Sequence, residues 1–93
     1  MLNVTHHDRS GSGSFRLERD GARLGLMTYS VAANVLTILH TEVDPVLRGQ
    51  GAGRLMLDAA VRWARDEHYR IVPVCPFAKS VFAKTHDYDD VLR

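Results

Sequence analysis

One stretch limits what this chain can fold into: Thr41-Glu42-Val43-Asp44-Pro45-Val46-Leu47-Arg48-Gly49-Gln50-Gly51-Ala52-Gly53. Before it, Val35-Leu36-Thr37-Ile38-Leu39-His40 reads as a strand; after it, apolar residues recur at helical spacing. The strand therefore ends near Pro45 and a helix starts within the glycines. A glycine-rich strand-to-helix turn gathers free backbone N–H groups at the positive end of a helix, which is an anion site. Arg48 and Arg54 flank it with fixed charge suited to phosphate. The glycines fall at 49, 51 and 53. A dinucleotide fingerprint would need a glycine at 54, which is Arg, and a P-loop would need Lys-Ser/Thr after Gly53, which is followed by Arg54-Leu55. The plain alternative is a β–α turn that merely happens to carry glycines.

The 93 residues predict a single domain, 1–93, of modest stability, because a chain this short buries a smaller share of its surface than a larger one. Twelve Lys and Arg against 11 Asp and Glu argue against nucleic-acid binding driven by bulk charge. One cysteine rules out an internal disulfide and a Cys-rich zinc site, and fits a reducing compartment. No apolar run reaches the length of a membrane span, and the N-terminus lacks signal-peptide features. The expectation is a cytoplasmic protein with no metal, no nucleic acid and no membrane among its partners.

The fold class expected is α+β: an antiparallel β meander over about residues 2–43, then a βαβ unit and a C-terminal helix. Leu2 to His7 makes a short first strand, with His6 and His7 on opposite faces, a poor chelate and more plausibly surface residues. Ser10 to Ser14 reads as a flexible loop. Phe15 to Arg19 and Ala22 to Ser30 form a hairpin around Asp20-Gly21; Ala33-Asn34 makes the next turn, and Val35 to Val43 the next strand. The helix spans about Gly51 to His68, with an apolar stripe of Leu55, Met56, Ala59, Ala60, Trp63 and Ala64, and a solvated Asp58–Arg62 pair opposite. Ile71 to Val74 is a short strand parallel to Val35–Val43, and Pro73 requires an edge. Cys75-Pro76 opens a second helix that ends near His86-Asp87 and buries Phe77, Ala78, Val81, Phe82 and Thr85; Tyr88 to Arg93 follows as a tail with no assigned element.

Parallel strands of one βαβ unit end on the same sheet edge, where open α/β sheets bind ligands. That edge receives both the glycine turn and Cys75, so the topology alone brings an anion site and the only thiol into one cleft. Cys75 also precedes a helix, whose N-terminal amides favour thiolate; the plain alternative is a buried, inert cysteine. His40 and Glu42 share a strand face. Histidine suits a general base at neutral pH, and a glutamate would act through water; a solvated pair of strand residues is the competing reading.

The segments His40-Thr41-Glu42-Val43, Arg48-Gly49-Gln50-Gly51-Ala52-Gly53 and Val74-Cys75-Pro76-Phe77 resemble a group of very small, truncated GNAT-like N-acetyltransferases, over about Phe15 to Tyr88. The glycine turn resembles that superfamily's acyl-CoA pyrophosphate loop, Gln/Arg-x-x-Gly-x-Gly/Ala. The resemblance implies a truncated GNAT-like acyl-CoA N-acyltransferase fold. Acetyl-CoA would be the cosubstrate, with its pyrophosphate on the amides of Gln50 to Gly53 and on Arg48. The pantetheine would lie along the backbone of Thr41 to Val43. Binding would thus involve Thr41, Val43, Arg48, Gly49, Gln50, Gly51, Ala52, Gly53 and Arg54; His40, Glu42 and Cys75 are the catalytic candidates. The Val43 amide is a candidate oxyanion donor, and Cys75 either protonates the leaving thiolate or accepts the acetyl group. Relatives carry His-Pro-x-Tyr where this chain has His86-Asp87-Tyr88, which leaves Tyr88 without an assigned role, and Ala52 replaces a larger aliphatic. The expected activity is acetyl transfer to a primary amine on a small molecule or peptide, by a monomer or weak homodimer. The rivals are a non-catalytic coenzyme A-binding module and a thiol-dependent activity centred on Cys75.

Overall fold

The computed structural model describes all residues from Met1 to Arg93. Five strands run β1 Asn3–Arg9, β2 Ser12–Arg19, β3 Ala22–Ala32, β4 Val35–Val43 and β5 Arg70–Pro73; α1 is Ala52–Glu67 and α2 is Pro76–Lys84. They form one sheet in sequence order, β1-β2-β3-β4-β5, antiparallel except for the parallel β4–β5 pair. The expected α+β architecture holds.

Each hairpin turns on two residues of positive φ: Ser10 and Gly11, Asp20 and Gly21, Ala33 and Asn34. That is the type I′ geometry that matches the twist of the strands it joins. The Ser-Gly run is therefore no loop. Only Ser10-Gly11 turns, and Ser12 to Ser14 pair in β2 with Arg9 to His7. Its glycine serves close approach, not flexibility: a Cβ on Gly13 would lie 2.7 Å from the Tyr29 hydroxyl and 2.1 Å from the His7 carbonyl oxygen.

Both helices pack on one face of the sheet, and their core is continuous with Phe15, Leu17, Met27, Tyr29, Leu36, Ile38 and Ile71. In α1 the buried residues are Ala52, Gly53, Met56, Leu57, Ala60, Val61 and Ala64. The expected stripe was rotated: Leu57 and Val61 point inward, while Leu55 is exposed and Trp63 only half-buried. In α2, Ala78 and Phe82 are buried. No helix is long and apolar enough to cross a membrane.

The tail is ordered and packed. Tyr88 and Val91 are buried, and Leu92 bridges Ile71 on the outer edge of β5. The Arg65 guanidinium donates to the Asp90 carboxylate at 2.8 and 2.9 Å and to the Asp87 carbonyl at 2.8 Å. Exposed ion pairs add only about 0–1 kcal/mol each, so the buried Tyr88 and Val91 hold the tail and the arginine sets its path. Pro73 lies on β5, an edge strand, as its missing N–H requires. The Asp58–Arg62 pair does not form. Asp58 instead meets Arg54 at 3.5 Å and accepts from the Tyr88 hydroxyl, because the tail folds back over α1.

His6 is exposed, as expected of a surface residue, but its ring is engaged. Its ring stacks on Phe15 with centroids 4.2 Å apart, meets Trp63 edge-on at 4.4 Å, and bonds the Tyr29 hydroxyl at 2.6 Å. Tyr29 in turn donates to Asp8 at 3.0 Å. Burial is the largest cause that lowers the His6 pKa, against a smaller upward pull from Asp8.

Two outcomes follow. The unfolded chain binds a proton at His6 at higher pH than the folded chain does. Stability should therefore fall as pH drops through the ordinary histidine range toward the lower folded value. His6→Phe keeps the stacking, so urea-unfolding midpoints measured at pH 7.5 and 5.5 should differ less in the variant than in the wild type. A Cβ on Gly53 would lie 2.8 Å from Phe77 Cζ. Gly53→Ala should therefore cost about 1–3 kcal/mol, read from the same unfolding curves, because the α1–α2 contact must open.

Candidate active site

The site is built where β4 and β5 part. Their ladder pairs Val35 with Arg70 through Ile38 with Pro73. It ends on one carbonyl, that of Ile38, which accepts from the amides of both Val74 and Cys75 at 3.0 and 3.2 Å. The chain then turns into α2. From Leu39 to Val43, β4 is paired with β3 on one edge and has no strand on the other. A strand edge without a partner offers main-chain donors and acceptors to an extended ligand.

At the same point β4 changes which face its side chains take. Opposite β3, Ile38 pairs with Tyr29 and His40 with Thr28, so Leu39 is the extra residue of a β-bulge. Leu36 and Ile38 face the helices. After the bulge that direction belongs to Thr41 and Val43, while His40 and Glu42 emerge on the open face. Were β4 regular through Leu39, His40 and Glu42 would point into the core. They share one face, as expected, with His40 Nε2 3.4 Å from Glu42 Oε2 and side chains 63% and 56% exposed. That exposure leaves the pair open to solvent.

After β4, Asp44 caps a short 3₁₀ turn, Pro45–Leu47, by accepting from the Val46 amide. The buried Leu47 anchors that turn. Gly49 and Gly51 have φ of +79° and +68°, with open space where a Cβ would stand, whereas Gly53 is there for the Phe77 contact. The amides of Gly49, Gly51, Ala52, Gly53 and Arg54 donate to no carbonyl, while that of Gln50 is taken by Leu47. Gly51 gives α1 no side-chain cap, and its first turn carries no acidic residue. The helix thus starts with an uncompensated positive end.

The two arginines differ. Arg48 is exposed, and its side chain bonds nothing in the chain. The Gln50 side chain folds back onto the Val46 carbonyl at 3.3 Å. Arg54 is already engaged: its guanidinium lies 4.9 Å above the Tyr88 ring, donates to the Tyr88 hydroxyl, and sits 3.8 Å from Asp87. The Tyr88 bond is the largest cause that raises the Arg54 pKa. Burial chiefly raises that of the Tyr88 phenol, with the bond to Asp58 next. Tyr88 thus ties the tail to the first turns of α1.

Cys75 is where the topology requires it, at the N-cap of α2, its sulfur accepting from the Ala78 amide at 3.4 Å. It is 3% exposed, and Thr41 Oγ1 lies 3.3 Å from the sulfur. The Thr41 side chain is a site element that the sequence reading took only for its backbone. Beside Glu42, a groove of about 260 Å³ is lined by Arg23, Leu24, Gly25, Glu42, Val43 and Asp44. No three His, Cys, Asp or Glu side chains cluster as a metal-binding set.

Comparison with known proteins agrees with this fold. The family description GCN5-related N-acetyl-transferase matches residues 14–91. No curated protein matches the chain. A GCN5-like protein from Staphylococcus aureus, solved by NMR, is 33% identical and superposes with a TM-score of 0.75, over 100% of this chain and 91% of that one. The ribosomal-protein-S18-alanine N-acetyltransferase of Escherichia coli gives a TM-score of 0.71 at 17% identity, over 83% of this chain and 53% of that enzyme. Nourseothricin acetyltransferase gives 0.65 at 26% identity, over 83% and 50%. The chain thus spans about half the length of those two enzymes and nearly all of the staphylococcal protein. The chain belongs to the GCN5-related N-acetyltransferase family.

Proposed function

We propose that the protein binds acetyl-CoA across the β4–β5 split and transfers its acetyl group to a primary amine. The observation that carries this reading is the coincidence of two unmet binding surfaces, the free edge of β4 from Leu39 to Val43 and the unbonded amides at the start of α1. A pantetheine arm is an extended amide chain suited to the first. A pyrophosphate suits the second, with Arg48 as the free cation. Arg54 would add charge from its place over Tyr88.

The chemistry asked of the protein is modest, since a thioester is already activated. The chain must orient the two reactants, take a proton from the ammonium, stabilise the oxyanion and protonate the leaving thiolate. His40 is the proposed base, with Glu42 at 3.4 Å to orient it or act through water; the Val43 amide is the proposed oxyanion donor. The acceptor reaches this pair from the open sheet face, whose cross-strand rows include Thr5–Arg16–Leu26–Glu42 and His7–Ser14–Thr28–His40. A face this polar supports a monomer or weakly associating dimer. A cytoplasmic setting goes with the same reading.

The test is acetyl transfer from acetyl-CoA to a panel of ethanolamine, spermidine, lysine and short peptides, alongside calorimetric binding of coenzyme A. Turnover above the uncatalysed rate, reduced at least ten-fold in His40→Ala, supports the reading. Binding without turnover reassigns the protein as a coenzyme A-binding module, and no binding removes the reading. Arg48→Gln should weaken coenzyme A binding about ten-fold, since a charge-assisted hydrogen bond contributes roughly 1.5–3 kcal/mol. Gly51→Asn is a sharper probe, because asparagine tolerates the left-handed backbone and fills the space proposed for the phosphate. It should abolish binding while the unfolding midpoint stays close to that of the wild type.

A further inference from the structure

A cysteine that is 3% exposed cannot meet a thioester lying in the cleft without a rearrangement of the chain around it. Its sulfur has two polar neighbours, the Ala78 amide at 3.4 Å and the Thr41 hydroxyl at 3.3 Å. An amide can hold a charge on the sulfur but does not pass protons on. A hydroxyl does both, since it donates and accepts at once. Thr41 is half-buried, on the free edge of β4, two residues beyond the Leu39 bulge that aims it at Cys75. Of this pair, the half-buried Thr41 is the more open to solvent.

The geometry points to Thr41 as a proton relay between Cys75 and the leaving sulfur, with Cys75 acting from behind it and never carrying the acetyl group. This inference rests on the acetyl-transfer reading above. In the step, the amine nitrogen has bonded the acetyl carbon and given its proton to His40. The carbon–sulfur bond breaks, and the departing sulfur keeps the electron pair. That sulfur takes the Thr41 hydroxyl proton as the Thr41 oxygen takes the Cys75 thiol proton. Cys75 is left as thiolate, with the negative charge facing the Ala78 amide and the positive end of α2. The proton on His40 passes to solvent, and Cys75 recovers one from solvent by the same hydroxyl. An ammonium substrate gives up two protons through His40, one before attack and one after it; one is matched by the proton that reaches coenzyme A, and the turnover releases the other to solvent.

The relay is tested with Thr41→Val, Thr41→Ser, Cys75→Ala and the Thr41→Val/Cys75→Ala double variant. Transfer from acetyl-CoA to hydroxylamine, and to the best amine of the panel, is measured with desulfo-CoA binding alongside. The expected result is a kcat loss of about 100–10,000-fold in Thr41→Val with desulfo-CoA affinity unchanged. Thr41→Ser should recover at least a third of wild-type kcat. The double variant should be no slower than Thr41→Val, because both changes interrupt one path. Intact mass should show no acetyl adduct on Cys75 during turnover. The relay is overturned by a Thr41→Val kcat within three-fold of wild type, by independent additive losses, by a serine variant as slow as valine, or by an acetyl-Cys75 adduct. If Thr41→Val behaves as wild type while transfer continues, the transfer reading stands and the relay alone falls. If the wild type binds desulfo-CoA but acetylates nothing, both fall and the binding site remains.

Discussion

The Ile38 carbonyl is the point on which the site depends. It accepts the last two amides of the β5 side, Val74 and Cys75, and so ends the parallel ladder while β4 still has five residues to run. A ladder that continued would have paired β4 to its end and left no free edge. The bulge at Leu39 acts at the same place. It sends Thr41 toward the sulfur and lifts His40 and Glu42 onto the wet face. One local irregularity thus sets the directions of the proposed proton donor, Thr41, and of the proposed base, His40, at adjacent positions of the free stretch of β4.

The helices complete the site through contact rather than reach. Gly53 lets the Phe77 ring lie against the first turn of α1, which sets the start of α2 beside the start of α1. Both helix N-termini then serve one cleft, one at the proposed phosphate and one at the sulfur. The tail secures this pair from outside. Tyr88 is buried against Phe82 while its hydroxyl engages Arg54 and Asp58. In a chain with so little core, anchoring of this kind matters, because each loosened element is a large share of total stability.

The elements with strong local signals could be read from sequence. Asp20-Gly21 and Ala33-Asn34 turn as their dipeptides require, Pro76 opens α2, and the βαβ order brings the glycine turn and Cys75 together. What failed did so where a tertiary contact overrode composition. Gly13 looks flexible, but it admits the Tyr29 hydroxyl. Asp58 looks paired with Arg62, but the returning tail claims it. Leu57 and Val61 displace Leu55 from the stripe because the sheet, not the helix, chooses the buried face. The bulge left no clear trace: Ile38-Leu39 is an adjacent apolar pair, but so are Val35-Leu36 and Leu26-Met27, which pair in regular register. The Thr41–Cys75 contact left none, since the two are 34 residues apart and meet only through the bulge.

The central claim is that the unbonded amides at the start of α1 and the free edge of β4 together hold coenzyme A. The most direct measurement is an amide-resolved NMR titration of ¹⁵N-labelled protein with coenzyme A. The account predicts saturable shifts concentrated at Gly49, Gly51 to Arg54 and Thr41 to Val43, with β1 and the C-terminal end of α1 unmoved. Absence of saturable shifts, or shifts centred away from these two segments, would contradict it.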